Sequence, residues 1–457
     1  MPSRPNVLIL MSDEHRADVA GFAGDPVART PTLDWLAENG VTFDNAYTPS
    51  PICVPARQCI MAGQYPKTCG CEGWVGLQPG HMTYPARFGQ YGYRTTAFGK
   101  LHMVGPDQSQ GWQTRPVGDV NFGNSLPVIE AYTRKVPGDP RNCPGMLKWS
   151  DRKEIERAGP GELNAKDRIA IDGARKWIHD TFVDARYDRA DPDRPTLLYV
   201  GQSDPHYPYL CDPSLFSHYL VRMRSFEVET PFDHPFLGLT PWPPEPLQAG
   251  VDVAERDVMR ARAAYYAMVE TMDTNCGRVL QSLRNAGEDL DDWIIVYLSD
   301  HGDQLGEHGV WEKQKFFEGS ARVPFIIRAP RLLPQGIRIH QNVSLSDLFA
   351  TLCELCELEI PDGLDSRSLV ALVNGDAQTW PNETCSFFLQ QGFTNVMIKQ
   401  DHLKYQWYAH DGKGVMPEVL FDLHSDPNET SNVIRHPQYA DAVEAFRKRL
   451  QEIGYGA

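Results

Sequence analysis

Four short apolar runs, each broken off at once by residues able to do chemistry, constrain this chain more than any other feature. Asn6 to Met11 runs into Ser12-Asp13-Glu14-His15, and Arg94 to Phe98 into Gly99-Lys100-Leu101-His102. Thr196 to Gly201 leads to Asp204-Pro205-His206, and Trp293 to Leu298 leads to Ser299-Asp300-His301-Gly302. Each run has the length and β-rich composition of a strand. In open α/β sheets, ligands sit beyond the carboxyl ends of the strands, so these four ends predict one shared site. Helical patterns lie between the runs. Pro31 to Gly40 has Thr30 as N-cap, Pro31 at the first helical position and Gly40 as stop. Asn164 to Phe182 and Ala254 to Ala286 are longer, the second closing at Gly287. Strand and helix alternate, which predicts an α/β fold with a mainly parallel central sheet covered by helices.

At 457 residues the chain is too long for one ordinary core. A helical stretch at Asp347 to Leu352 closes the alternating pattern. From about Glu383, short runs at Phe387 to Gln391, Val396 to Lys399 and His402 to Tyr408 predict an antiparallel sheet, with a final helix from Gln438 to Ile453. The expected division is a catalytic domain over 1–380 and a smaller α+β domain over 381–457. Residues 104–163 and 207–250 are rich in Pro, Gly and aromatics with little periodicity, and are assigned to substrate enclosure and the contacts of a homo-oligomer.

The balance of 44 Lys plus Arg against 60 Asp plus Glu, a net charge of -16, argues against nucleic acid or an anionic membrane as partner. No run approaches the ~20 apolar residues of a membrane span. The run Val7 to Met11 is too short, and too soon followed by Asp13, for a signal peptide, so the expected location is the cytoplasm. There the ten cysteines are expected as thiols, with Cys353 and Cys356, and Cys69 and Cys71, read as core residues.

The sharpest motif is Ser50-Pro51-Ile52-Cys53-Val54-Pro55-Ala56-Arg57, a C-x-P-x-R element entering a helical turn that ends at Gly63. A nucleophile at a helix N-terminus sits beside free N–H groups that also favour a bound anion, and Arg57 is one turn further on. On this element the chain resembles the formylglycine-dependent sulfatases of the alkaline phosphatase superfamily. The resemblance extends through Asp13, Gly99 to His102, Pro205 to Pro208, Ser299 to Gly309, Trp311 to Lys313 and Phe316 to Pro324. It continues in Leu420 to Leu423 and Asp426 to Glu429, and is nearest the choline sulfatase and phosphonate monoester hydrolase branches. Ala56 stands where that family often has Ser, Ala62 where Thr commonly precedes Gly63, and Glu14 where Asp or an amide is usual.

The resemblance implies that a formylglycine-generating maturation enzyme oxidises Cys53 to an aldehyde. Its hydrate offers two hydroxyls, one to attack sulfur and one whose deprotonation releases sulfate. A charged sulfate ester repels nucleophiles, so a divalent cation and fixed positive groups must neutralise it. Asp13, Glu14 and Asp300 offer hard oxygen ligands for Ca²⁺, Mn²⁺ or Mg²⁺; His301 adds a nitrogen, and the group at position 53 completes the set. Arg57 and Lys100 are assigned to the nucleophile and sulfuryl oxygens, His102 to the base that releases sulfate, and His206 with Lys313 to proton donation at the leaving oxygen.

Taken singly, a histidine beyond a strand is usually a hydrogen-bonded surface residue, Lys313 or Lys315 a solvated one, Asp300 a helix N-cap and Arg57 an ion-pair partner. Their joint order favours function. His15, Asp303 and His308 are assigned to the surrounding scaffold. The expected substrate is a small anionic ester, a sulfate monoester first. Competing readings are a phosphonate monoester or phosphodiester hydrolase and an unmodified, non-catalytic binding protein. The aromatics Trp74, Trp112, Trp149, Tyr207, Tyr209 and Trp242 are candidates for caging a quaternary ammonium or stacking an aryl ring, or for packing.

Overall fold

The computed structural model describes residues 4–105, 107–118, 150–161, 165–183, 194–223, 253–390, 392–409 and 417–456. The four apolar runs become β1 (Asn6–Asp13), β3 (Arg94–Gly99), β6 (Thr196–Pro205) and β8 (Trp293–Ser299). They are joined by β2 (Val41–Tyr47), β4 (Thr114–Val117), β9 (Phe325–Arg328) and β10 (Ile337–Ser344) in one sheet of order β10-β2-β9-β8-β1-β6-β3-β4. Only β9 runs antiparallel to its neighbours; all the other pairings are parallel. The expected mainly parallel architecture is therefore what forms.

Both faces of the central strands are covered, so those strands read as continuous apolar runs without a polar face. Alternation still decides which layer each side chain joins. Leu8, Leu10, Leu198, Val200, Ile295 and Tyr297 point into a core with the helices Pro31–Glu38, Ala165–Phe182 and Glu255–Asn285. Val7, Ile9, Leu197, Tyr199, Ile294 and Val296 point the other way, to Ile60 and Met61 of the Cys53–Ala62 helix and to Phe349 and Leu352 of the Leu348–Leu355 helix.

A second sheet is antiparallel in the order β11-β12-β13-β14: Glu383–Gln390, Phe393–Gln400, Leu403–Trp407 and Glu418–Asp422. The helix Ala440–Glu452 covers one of its faces through Val443, Phe446 and Leu450. On the other face Phe388, Met397, Val419 and Phe421 pack with Tyr47, Phe316 and Phe317. Buried Lys404 of β13 also binds Glu318 at 2.9 Å and Glu429 at 2.8 Å. The second sheet is thus fastened onto the segment that follows Lys313.

Some local expectations are corrected. The first helix ends at Glu38 with Asn39 as C-cap. Gly40 lies beyond it, where a Cβ would meet the carbonyl oxygens of Leu36 at 2.7 Å and Ile327 at 2.8 Å, so its role is close approach to β9. Thr30 is the N-cap by position but caps no N–H of the helix; its hydroxyl donates to Asp34 and accepts from the Gly21 N–H. The stretches read as irregular contain β4, the helices Ser150–Arg157 and Pro213–Leu220, and the short paired strands β5 (Gly159–Pro160) and β7 (Leu210–Cys211). Trp149, Trp242, Cys143 and most of those stretches lie outside the described residues. The remaining nine cysteines are buried free thiols.

Candidate active site

The register of β8, β1, β6 and β3 sets one row of strand ends. Ser12 lies opposite Ser299, and Gly99 opposite Gly201, so Asp13, Asp300 and Lys100 emerge at neighbouring positions. Cys53 arrives from the side, as the first residue of its helix after β2. Lys313 comes from the long turn between β8 and β9. The structure thus brings all the sequence-predicted site residues to one edge of the sheet.

Arg57 is the hub. Its Nε donates to Asp300 Oδ2 at 2.7 Å and its Nη2 to Asp13 Oδ2 at 3.1 Å, while Nη1 reaches the Lys100 carbonyl at 2.9 Å and the Tyr199 hydroxyl at 3.0 Å. A planar fork with several donors suits such a cluster in a way a lysine does not. Tyr199, which also donates to the Lys100 carbonyl at 2.8 Å, escapes sequence reading because it sits inside an apolar strand. Lys100 Nζ is 2.5 Å from Asp13 Oδ2.

Cys53 Sγ lies 3.1 Å from His301 Nε2 and 3.7 Å from Asp13 Oδ1. His301 Nδ1 faces the Gly302 carbonyl at 3.1 Å, and since a carbonyl only accepts, Nδ1 carries a proton, while Nε2 is turned towards Cys53. Donor atoms of Asp13, Cys53, Asp300 and His301 lie within 4.8 Å of one another. A second group joins Asp13 to Glu14 and His206, so Glu14 shares Asp13 with the first cluster without belonging to it. Glu14 instead receives Lys313 Nζ at 2.9 Å on Oε2, and its Oε1 is buried with no hydrogen-bond partner. Buried carboxylates converging with a histidine nitrogen and an orphaned oxygen are a donor set that fits a divalent cation.

Lys313 Nζ also contacts His206 Nε2 at 2.5 Å. His206 Nδ1 faces the Tyr207 carbonyl at 2.6 Å, which places its proton there and makes Nε2 the acceptor from Lys313. His206 keeps 19% of its side-chain surface exposed. Tyr207 stacks on it at 4.2 Å, and Trp74 meets the His102 ring edge-on at 5.1 Å, so two of the aromatics border the site. Trp112 and Tyr209 are instead packed in the cores. Glu14 (φ 68°) and His102 (φ 58°) hold left-handed conformations that cost a residue with a Cβ, strain of the sort found at functional sites.

Charge is concentrated here in buried side chains. Burial works against ionisation of Asp13, yet Lys100, His206 and Arg57 hold its carboxyl well below the usual range. Burial pushes the Glu14 carboxyl up to about 8 despite Lys313. Burial, then the Asp13 carboxylate, push the Cys53 thiol up to about 12, so the unmodified side chain is a neutral thiol. His102 and His206 are driven well below their ordinary value by burial, and then by Lys100 and Lys313 respectively. Lys313 is raised against burial by Cys53 and Glu14.

A family model described as "Sulfatase" matches residues 5–358, and one described as "N-sulphoglucosamine sulphohydrolase, C-terminal" matches residues 306–455. The chain is 30% identical over 456 residues to a choline-sulfatase of Rhizobium meliloti (strain 1021), covering 95% of this chain and 83% of that one. It is 28% identical over 474 residues to an arylsulfatase of Clostridium perfringens (strain 13 / Type A), covering 98% and 94%. Among solved structures, a phosphonate monoester hydrolase of Agrobacterium radiobacter superposes with a TM-score of 0.76 at 22% identity, covering 98% of this chain and 95% of that one.

Proposed function

Since this chain belongs to the sulfatase family, we propose that it hydrolyses sulfate monoesters to alcohol and sulfate, with Cys53 converted to formylglycine as the nucleophile. The observation that carries the reading is Cys53 of the C-x-P-x-R element at the head of a buried helix, facing Asp13 and His301 and one turn from Arg57.

In this reading Asp13, Asp300 and His301, with Glu14 and the group at position 53, would hold one divalent cation, Ca²⁺, Mn²⁺ or Mg²⁺. When bound, that ion would supply neutralisation of charge at the sulfuryl oxygens. Formylglycine supplies paired hydroxyls on one carbon, so that sulfate leaves without hydrolysis of a stable ester. Conversion of Cys53 calls for a formylglycine-generating enzyme as partner.

The chain's own residues do the rest. Arg57, fixed by Asp13 and Asp300, has no freedom to swing, so its positive field is already in place when charge develops. Lys100 places a second positive charge against Asp13. Lys313 carries the proton in its contact with His206 and is the group that donates to the departing alcohol oxygen, with His206 receiving and relaying protons towards solvent. His102, kept neutral, is the base that removes a proton at position 53 to release sulfate.

The cationic group of Arg57, Lys100 and Lys313 suits any singly charged tetrahedral centre, so activity on phosphonate monoesters and phosphodiesters is part of the proposal. The test compares kcat/KM for an aryl sulfate, an aryl phosphonate and an aryl phosphodiester with one leaving group on a fully converted preparation. Sulfate is expected to lead. A phosphonate or diester faster by more than about tenfold, some 1.4 kcal/mol of transition-state binding, would reverse the assignment. A protein that retains only unmodified Cys53 after production beside an active maturation system would instead be a binding protein.

A further inference from the structure

We infer that Asp303 is a positioning residue for proton donation to the departing alcohol, because one carboxylate ties the segment carrying His206 to the segment carrying Lys313. This rests on the sulfatase reading. Asp303 is completely buried. Its Oδ2 accepts the Tyr209 hydroxyl at 2.6 Å, and its Oδ1 accepts the backbone N–H groups of Leu305 at 2.9 Å and Glu312 at 3.1 Å. Tyr209 follows His206 by three residues, and Glu312 immediately precedes Lys313. His206 and Lys313, 107 residues apart in the chain, therefore meet beside a shared anionic anchor.

The anchor restrains segments that need restraint. Leu305 (φ 49°), His308 (φ 55°), Glu312 (φ 57°) and Gln314 (φ 67°) all hold left-handed conformations, which local preference does not supply. Besides the two bonds from Asp303, the Gln304 N–H donates to the Glu312 carbonyl at 3.0 Å and closes the same turn. On the other side, the Tyr209 ring is wedged at 6.3 Å from Tyr265 and 6.0 Å from Trp311, so its hydroxyl has one direction to point. Loss of either link would loosen the Lys313 ammonium relative to His206 while leaving Arg57, Lys100 and the Asp13–Asp300 cluster in place.

Such a role has its own kinetic signature. Protonation of the leaving oxygen matters most when the alcohol is a poor leaving group and little when it departs readily as an anion. A residue that only stabilises the fold would lower the rate for every substrate by one factor. The experiment uses metal-replete enzyme, with conversion at position 53 measured by intact mass, for the wild type, Tyr209→Phe and Asp303→Asn. Turnover is measured over a series of aryl sulfates from 4-nitrophenyl to phenyl, and on an alkyl sulfate. We expect each variant to lose about tenfold to a hundredfold on the poorest leaving group, within the ~10²–10⁴ that general acid catalysis contributes, and less than about threefold on 4-nitrophenyl sulfate. Equal losses across the series, or no loss, would overturn the inference. Should Asp303→Asn fail to fold, Tyr209→Phe, which deletes one hydroxyl, decides by the same criterion. A converted wild type inactive on every sulfate would overturn the sulfatase reading and this inference together; an active wild type with parallel losses overturns the inference alone.

Discussion

Arg57 reaches both Asp13 and Asp300 through separate nitrogens, a geometry that one ammonium cannot reproduce. Arg57→Lys should therefore lower kcat/KM on an aryl sulfate by about a hundredfold or more, comparable to removal of a fixed oxyanion donor. A loss below tenfold would show that charge alone suffices. Cys53→Ser tests the nucleophile. A serine supplies one hydroxyl where the aldehyde hydrate supplies two, so the variant should show at most a single slow event and retain a sulfuryl group, visible as added mass on the protein. Rapid repeated turnover would exclude the formylglycine chemistry. Glu14 shows what local reading misses: besides the place expected for it as an oxygen ligand, its backbone turns left-handed and its carboxylate meets Lys313 and His206. No periodic signal in the sequence announces that turn.

Among the elements, the Pro31–Glu38 helix shows how a tertiary contact takes over a local role. The Thr30 hydroxyl is engaged by Gly21 and Asp34, and it is Asp273, from the long Glu255–Asn285 helix, that accepts the N–H groups of Thr32 and Leu33 at 3.1 and 2.8 Å. Burial pushes the Asp273 carboxyl up to about 6, above its unfolded value of 3.8. The folded state then binds this proton more readily than the unfolded chain. Its contribution to stability is fully present below about pH 4 and is lost as pH rises through about 6. Asp273→Asn cannot ionise, so the wild-type minus variant difference in unfolding free energy should fall between pH 4 and 6 and level off above; a flat difference in denaturant titrations at several pH values would refute this. Strands are the opposite case, legible from the start. The four runs were recognisable because both faces are buried, whereas β14 went unread, its buried Val419, Leu420 and Phe421 flanked by too little sequence to separate a strand from a loop.

The whole molecule joins two sheets through a buried ionic knot. Lys404, completely buried, is held by Glu318 and Glu429, and Glu429 in turn accepts the Glu318 N–H at 2.6 Å. Lys404→Met would leave buried Glu429 without its cation, while Glu318 keeps Arg322 at 2.7 Å, and should destabilise the protein by about 3–5 kcal/mol, read as a fall in denaturation midpoint. Replacing Glu429 with Gln in the same variant should recover part of that loss. No recovery would mean that packing, not charge, joins the sheets there. Among the described residues no helix is long and apolar enough to cross a membrane.

The sequence by itself determined the strand ends, the place of Cys53 and Arg57 at the head of a helix, and the order of acidic and basic residues along the sheet edge. These follow from runs of a few residues, where burial on both faces and the N-terminus of a helix leave a local mark. Only the tertiary structure decided which carboxylate faces which cation, that Tyr199 braces Arg57, and that Asp303 joins the His206 and Lys313 segments. Apart from the bond between Glu312 and Asp303, those contacts span from 44 residues of chain, between Asp13 and Arg57, to 299, between Glu14 and Lys313, and depend on the angle at which each turn leaves its strand. Packing of the completed core sets that angle, and no periodicity in the sequence encodes it.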